Sequence, residues 1–197
     1  MRKILACAAF GAALLSPGFA HAASDDSGLH PVIGMYLTGG GAKTVEVQYT
    51  DGNDYTMRAG QLFQLYGGAE YRVPDSGLAV QLSIGYHFDS AGGSNGDVTF
   101  SRYPIEAIVL YQLAPQWRLG AGVRDATNPK LHGSGAGEGI DAKFDSSIGA
   151  IVQAEWLPSP RWGVQLRYVH ETYKLKDATD QTRINGNHVG VGTAYYF

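Results

Sequence analysis

Apolar residues in this chain recur at every second position, over one segment after another. Leu78, Val80, Leu82, Ile84, Tyr86 and Phe88 share one face, and Gln81, Ser83, Gly85 and His87 share the other. Tyr103, Ile105, Ala107, Val109, Tyr111 and Leu113 repeat the pattern, with Ile108 and Leu110 as apolar exceptions on the opposite face. The segments Ile148 to Trp156 and Trp162 to His170 follow the same rule. Such alternation belongs to strands, whose successive side chains point to opposite faces, and not to helices with their period of about 3.6. No apolar run reaches the roughly 18 residues that a spanning helix needs. The chain reads as all-β.

Two kinds of connector divide the strands. Pro74-Asp75-Ser76-Gly77, Ala114-Pro115-Gln116 and Pro158-Ser159-Pro160-Arg161 are tight and turn-rich. The stretches 39–60, 90–97, 128–139 and 177–186 are longer, polar and rich in glycine. Long and short connectors alternate. The spacing predicts eight antiparallel strands near 31–39, 61–73, 78–89, 98–113, 116–127, 140–157, 161–176 and 186–197. Residues 43–49 and 55–58 are expected to extend the first two beyond the sheet wall as a hairpin around Asp51-Gly52-Asn53-Asp54.

A soluble sandwich also alternates, but its polar outer face is usually studded with lysine. Here the less apolar face carries Glu70, Arg72, Arg102, Glu106, Arg118, Arg124, Asp145, Glu155, Arg167 and Glu171, while the apolar face of the strand centres is expected to carry no charge. Arginine mixed with glutamate, glutamine and glycine suits a crowded interior in which guanidinium forks meet carboxylates. The expected lumen network is Glu70, Arg72, Arg102, Glu106, Arg118, Arg124, Glu155 and Arg167. Counting back across the 113–116 turn sets Glu106 opposite Val123 or Arg124, which makes Arg124 its expected partner.

The aromatics are placed by depth. Trp117, Trp156 and Trp162 all lie beside tight turns, as do Tyr71 and Tyr111, and all share the apolar parity of their strands. With Tyr195 and Phe197 they make an expected interfacial girdle. Tyr86, Phe88, Tyr103 and Tyr168 fall nearer the long connectors and make the opposite one. The chain ends on Val189, Val191, Thr193, Tyr195 and Phe197 at alternate positions. This strand resembles the C-terminal signature of Gram-negative outer-membrane barrels, and Val189, Val191, Tyr195 and Phe197 are then the assembly signal. With eight strands, short turns and long loops, the chain resembles the small OmpA-like or porin-family outer-membrane β-barrels. The resemblance implies an eight-stranded antiparallel transmembrane up-and-down barrel, with outer-membrane lipid and the barrel assembly machinery as partners. Physics agrees: a bilayer leaves no backbone group unpaired, so a spanning sheet must close.

Residues 1–22 read as a secretory signal peptide and 23–197 as the barrel domain. Arg2 and Lys3 precede an apolar stretch from Ile4 to Leu15, and Ala20-His21-Ala22 offers the small-x-small cleavage pattern. The lone cysteine, Cys7, lies inside the signal, so the mature chain holds no disulfide and no thiolate. The formal net charge of −3 disfavours a nucleic-acid partner.

Chemistry-bearing motifs are sparse. Residues 133–139 are glycine-rich but lack the Gly-Lys-Ser/Thr of a phosphate loop. His30, His87, His132, His170 and His188 form no metal-ligand spacing, so no metal or cofactor is expected. His170 and Thr172 share the apolar parity at the outer end of a strand. Their spacing is similar to the outward His and Ser of lipid A deacylase barrels, with threonine where that family has serine. The expected function is an integral outer-membrane protein with a structural or passive porin-like role, monomeric, with a charged and largely plugged lumen and no catalytic residue. The alternatives are a lipid A-modifying hydrolase and a soluble periplasmic lipid-binding barrel.

Overall fold

A computed structural model of the chain describes residues 28–48, 54–93, 96–135, 138–139, 141–176 and 183–197. The proposed signal peptide lies outside these described residues. Among the described residues the strands are β1 (Gly28–Gly40), β2 (Lys43–Gln48), β3 (Asp54–Arg58), β4 (Leu62–Arg72), β5 (Leu78–Gly93), β6 (Gly96–Ala114), β7 (Trp117–Gly135), β8 (Ala142–Lys143), β9 (Ser147–Ser159), β10 (Trp162–His170), β11 (Thr172–Lys174), β12 (Arg183–Asn185) and β13 (His188–Tyr196).

The main sheet runs β6-β5-β4-β1-β13-β10-β9-β7-β8, and pairing of β6 with β7 closes it. Both β8 and β9 pair with β7, at Lys130–Leu131 and at Trp117–Ala126 respectively, so they are two pieces of one stave. The result is a closed antiparallel barrel of eight staves. The first and last staves meet, with Val32 opposite Tyr196 and Gly40 opposite His188. Closure removes every sheet edge within the wall.

The two faces of this wall are inverted relative to a soluble barrel. Leu82 and Ile84 are each 60 % exposed, while Glu70, Arg102 and Glu155 on the inward parity are fully buried. Apolar out and charged in is stable when the outer surroundings are lipid. A soluble periplasmic barrel is thereby set aside. Eight strands leave an interior that side chains just fill.

The strands differ from the expected boundaries in instructive ways. The stretch 90–97 is not a long loop, because β5 continues to Gly93 and β6 begins at Gly96. The stretch expected to loop from Asn128 is likewise strand, as β7 runs on to Gly135. Asn128 takes a positive φ of 49°, and the β6–β7 register shifts between Ser101 and Tyr103. One extra residue there forms a bulge and flips the parity beyond it. A strict period-two reading therefore ends at Thr127 although the strand does not. The expected strand 140–157 is split into β8 and β9, and 161–176 is split at Glu171 into β10 and β11. β2 and β3 pair antiparallel as a separate two-stranded sheet, in agreement with the two arms of the hairpin expected beyond the wall; its tip lies outside the described residues.

Beyond the barrel proper, the long-connector end continues as a collar. Ala42 N–H donates to the Asn185 carbonyl at 2.6 Å, and Lys176 N–H to the Lys143 carbonyl at 2.9 Å. Inside the collar lie Ala59, Val98, Phe100, Ala126, Leu131, Phe144 and Tyr173, a buried apolar cluster.

Candidate functional site

The barrel interior holds the only concentration of buried charge among the described residues. It is built in tiers. At the tight-turn end, Arg118 donates from Nη2 to Glu155 Oε2 at 2.6 Å and from Nη1 to Glu70 Oε1 at 2.8 Å. Arg72 Nε reaches the same Glu70 oxygen at 2.8 Å. The Tyr196 hydroxyl donates to Glu155 Oε1 at 2.6 Å, and Arg118 lies over its ring, 5.0 Å from the centroid. Arg118 and Glu155 face each other directly on β7 and β9. Opposed partners on one sheet face are close enough to pair without long side-chain excursions.

The middle tier centres on Glu106. Arg167 grips it with both terminal nitrogens, Nη2 to Oε2 at 2.9 Å and Nη1 to Oε1 at 3.3 Å. Arg124, directly opposite Glu106 in the β6–β7 register, donates to Oε1 at 3.3 Å, and Gln64 Nε2 adds a bond at 3.1 Å. Below them Tyr36 and Tyr66 stack at 5.4 Å, and both hydroxyls donate to Gln165 Oε1. The Arg167 guanidinium lies 4.2 Å from the Tyr36 ring centroid. A guanidinium held between a carboxylate and an aromatic face satisfies its charge in two ways at once.

The outer tier centres on Glu171. Its Oε2 lies 3.0 Å from Arg124 Nε, and its Oε1 accepts from the Tyr173 hydroxyl at 2.5 Å. Arg102 stands 3.8 Å away. Arg102 also approaches the His87 ring nitrogen at 3.2 Å, and His87 packs edge-on against His188 at 5.2 Å. Burial pushes the Tyr173 hydroxyl well above its ordinary range, against the opposing pull of Arg102. It is thus a neutral donor that both binds Glu171 and packs into the apolar collar with Phe100 and Phe144.

All eight residues expected in the lumen network face the interior, with Arg72 at its mouth and 19 % exposed along its side chain. They fall into the tiers above, with Arg118 on Glu155 and Glu70, Arg102 on Glu171, and Arg124 bridging Glu106 and Glu171. Asp145 departs from the expectation. It is exposed, and its backbone N–H joins Lys174 in the collar. Nor is the outward face free of charge: Asp125 has outward parity, between Val123 and Thr127, and is half-buried.

Sequence reasoning passed over the tyrosines and glutamines that tie the tiers together. Parity was the available signal for Tyr196 and Gln165, since each lies between two outward residues. The apolar exceptions Ile108 and Leu110 do face inward and pack with Ala79, Ile151 and Val169 as one wall of the lumen.

Tyr71, Tyr111, Trp117, Trp162 and Phe197 are about half exposed on the outer wall at the tight-turn end; Trp156 and Tyr195 are half-buried beside them. Tyr195 stacks edge-on with Trp162 at 5.1 Å and with Phe197 at 4.9 Å. Val189 and Val191 are exposed on the same face of β13. Towards the collar, Phe63, Tyr86, Phe88 and Tyr103 form a second ring cluster with centroids 5.2–5.9 Å apart.

Of the outward pair weighed for hydrolysis, His170 is exposed and Thr172 half-buried. The backbone of Thr172 is tied to the Ser147 hydroxyl by bonds of 2.6 and 3.2 Å.

No family model matches the chain, and no curated protein matches its sequence. Among solved structures, it is similar to Ail, the attachment invasion locus protein of Yersinia pestis, in complex with the heparin analogue sucrose octasulfate. That match is 16 % identical, covers 87 % of this chain and 99 % of that one, and has a TM-score of 0.56. A second crystal structure of Ail matches at 14 % identity over 87 % and 99 % of the two chains, with a TM-score of 0.53. The fold is that of a small outer-membrane β-barrel. Neisserial surface protein A is a more distant likeness, 12 % identical over 87 % and 98 % of the chains at a TM-score of 0.48. At these identities the likeness carries the fold and nothing about activity. The inverted polarity of the wall agrees with that fold, since a barrel with an apolar exterior and a charged interior suits a lipid surrounding.

Proposed function

We propose that this protein is a structural outer-membrane barrel whose lumen is closed by its own charge network, so that it passes at most a narrow water path. One observation carries the reading: Glu106, Glu155 and Glu171 each hold at least one arginine inside the barrel, in three successive tiers. Removing a buried pair's partner costs more than the pair contributes, so such tiers resist being pulled apart by a passing solute. The apolar collar of Phe100, Phe144 and Tyr173 adds a dry layer above them. Constrictions of this kind oppose ions by dewetting.

The tight-turn end of the barrel faces the periplasm in this reading, and the collar faces outward. Outer-membrane lipid contacts the wall, and the assembly machinery reads Val189, Val191, Tyr195 and Phe197 on the last strand. The barrel functions as a monomer. No catalytic group, metal or cofactor has a role.

Planar-bilayer recording of the purified protein tests this. The expected result is no ion current above the lipid background at physiological salt. A steady open channel with conductance typical of porins rejects it.

A further inference from the structure

One carboxylate breaks the apolar surface of the outer wall. Asp125 sits on β7, directly opposite Ile105 on β6 and Ile148 on β9. It lies two residues nearer the tight turn than Thr127, which opposes Tyr103 of the collar-side ring cluster. That places it just inside the outer girdle, at the boundary between headgroups and acyl chains. Its Oδ1 is out of solvent and has no hydrogen-bond partner among the described residues.

Asp125 lines an apolar groove of about 560 Å³ on the outer wall, with Leu82, Ile84, Ile105, Val123 and Ile148 along it. Gly67 forms part of the floor, and the absence of a side chain there leaves the depression open. A chain-like apolar ligand fits such a trough. Asp125 as a whole is half-buried and stands at its edge, so its carboxylate, one oxygen of which has no partner, asks for a hydrogen-bond donor.

Above the groove the collar carries a second, independent feature. Lys130 on β7 and Lys143 on β8 are directly opposed, both exposed. Lys176 is bonded through its backbone to Lys143, and Lys174 lies beside it, both also exposed. Two exposed acids flank Lys143 in that strip, Asp141, which pairs with His132 at 2.7 Å, and Asp145. Like charges directly opposite on one sheet face destabilise it. A bound anion reverses the sign of that interaction. Lys130 is five residues beyond Asp125, roughly 12 Å higher once strand rise and tilt are combined. That step is of the order of a headgroup layer with a lysine reaching down to it.

We infer that the groove and the lysine strip bind one phosphorylated acyl lipid, its acyl chain along Gly67 and Ile148, its phosphate on Lys130 and Lys143, and an N–H or O–H at the head–chain boundary donating to Asp125. The inference rests on the outer-membrane orientation proposed above, but not on the state of the lumen.

The test uses the protein in phosphatidylcholine nanodiscs, offered ceramide 1-phosphate or phosphatidic acid with matched acyl chains, with retained lipid counted by native mass spectrometry. Both lipids carry a phosphomonoester; only the ceramide carries an amide N–H and a hydroxyl at the boundary. The expected result is at least a five-fold preference for ceramide 1-phosphate. Asp125→Leu should bring the ratio to about one while phosphatidic acid is still retained. Lys130→Glu with Lys143→Glu should lower both lipids. Gly67→Leu should also lower both, since a Cβ at Gly67 meets nothing closer than the Val32 carbonyl at 3.9 Å and so fills the groove without disturbing the lumen. Heat-modifiable gel mobility verifies that each variant folds. Equal retention of the two lipids by the unaltered protein overturns the site, as does a preference that survives Asp125→Leu or a groove found buried between two copies. A folded barrel that fails this test while passing no current leaves the closed-lumen reading intact.

Discussion

Arg167 Nη2 lies 2.9 Å from Glu106 Oε2, joining β10 to β6 across the interior of the barrel. The bond is not between neighbouring staves: β9 and β7 separate the two along the wall. It therefore braces the barrel against ovalisation in a way that a pair within one hairpin does not. Arg124 approaches the same carboxylate from the adjacent stave at 3.3 Å with one nitrogen.

This geometry ranks the two arginines. Glu106→Ala strands Arg167, while Arg124 keeps Glu171 at 3.0 Å and Gln64 at 3.2 Å, and it should destabilise the barrel by about 3–5 kcal/mol, the cost of breaking a buried pair. In double-mutant cycles by urea unfolding in liposomes, the coupling of Glu106 with Arg167 should exceed that with Arg124. Coupling energies in the reverse order would show that the hairpin pair, not the brace, carries the interaction.

The wall's polarity makes a second prediction. Val109 is 51 % exposed on the outer face at mid-strand, whereas Gln112 is half-buried near the tight turn and donates to the Ala114 carbonyl. Val109→Arg sets a cation in the hydrocarbon and should cost about 2–4 kcal/mol of folding free energy in liposomes. Gln112→Arg should cost less than about 1 kcal/mol, because its head reaches the interfacial region. Equal losses at the two positions would mean that the outer face is not in lipid.

Phe197 ends the chain on the girdle face. Its N–H donates to the Pro31 carbonyl at 3.0 Å, and its own carbonyl oxygen lies 3.1 Å from His30 Nδ1. Deleting Phe197 removes both seam contacts and the aromatic that stacks on Tyr195. Surface yield at native expression should fall several-fold, measured by protease accessibility on intact cells. In vitro refolding into liposomes should fall far less if the residue serves recognition by the assembly machinery. Equal losses in both assays would reduce it to a seam contact.

Much of this architecture is legible without coordinates, for a physical reason. A wall one strand thick, with lipid on one side and packed charge on the other, forces its residues to alternate. Parity alone therefore separates Leu82 from Gln81 and Val109 from Glu106. What parity does not carry is connectivity inside the lumen. Nothing in the spacing of Glu106 and Arg167 links them, because residues three staves apart meet only once the barrel has a definite shear. The bulge at Asn128 is invisible for a different reason: a single positive φ flips the pattern, and 128–135 then read as loop. Asp125 lies before that flip, so its outward parity is legible from Val123 and Thr127 on either side.

The interior has two closures in series, and that arrangement makes a final prediction. The ionic tiers lie within the wall, and the collar of Phe100, Phe144 and Tyr173 lies beyond them. The rings in the collar pack edge-on, Phe100 with Phe144 at 5.7 Å and Phe144 with Tyr173 at 6.4 Å. Phe144→Ala should leave a cavity at a cost of about 3–5 kcal/mol in the collar. The tiers below would still block ions, so current should stay at background. Glu106→Ala should also stay near background, because the collar remains dry even as the middle tier loosens. Resistances in series are set by the larger one, so only the combined variant, Glu106→Ala with Phe144→Ala, should conduct measurably in planar bilayers. Additive small currents from the two single variants would indicate parallel paths. A single variant conducting as well as the pair would mean that one closure alone holds the barrel shut, and would identify which.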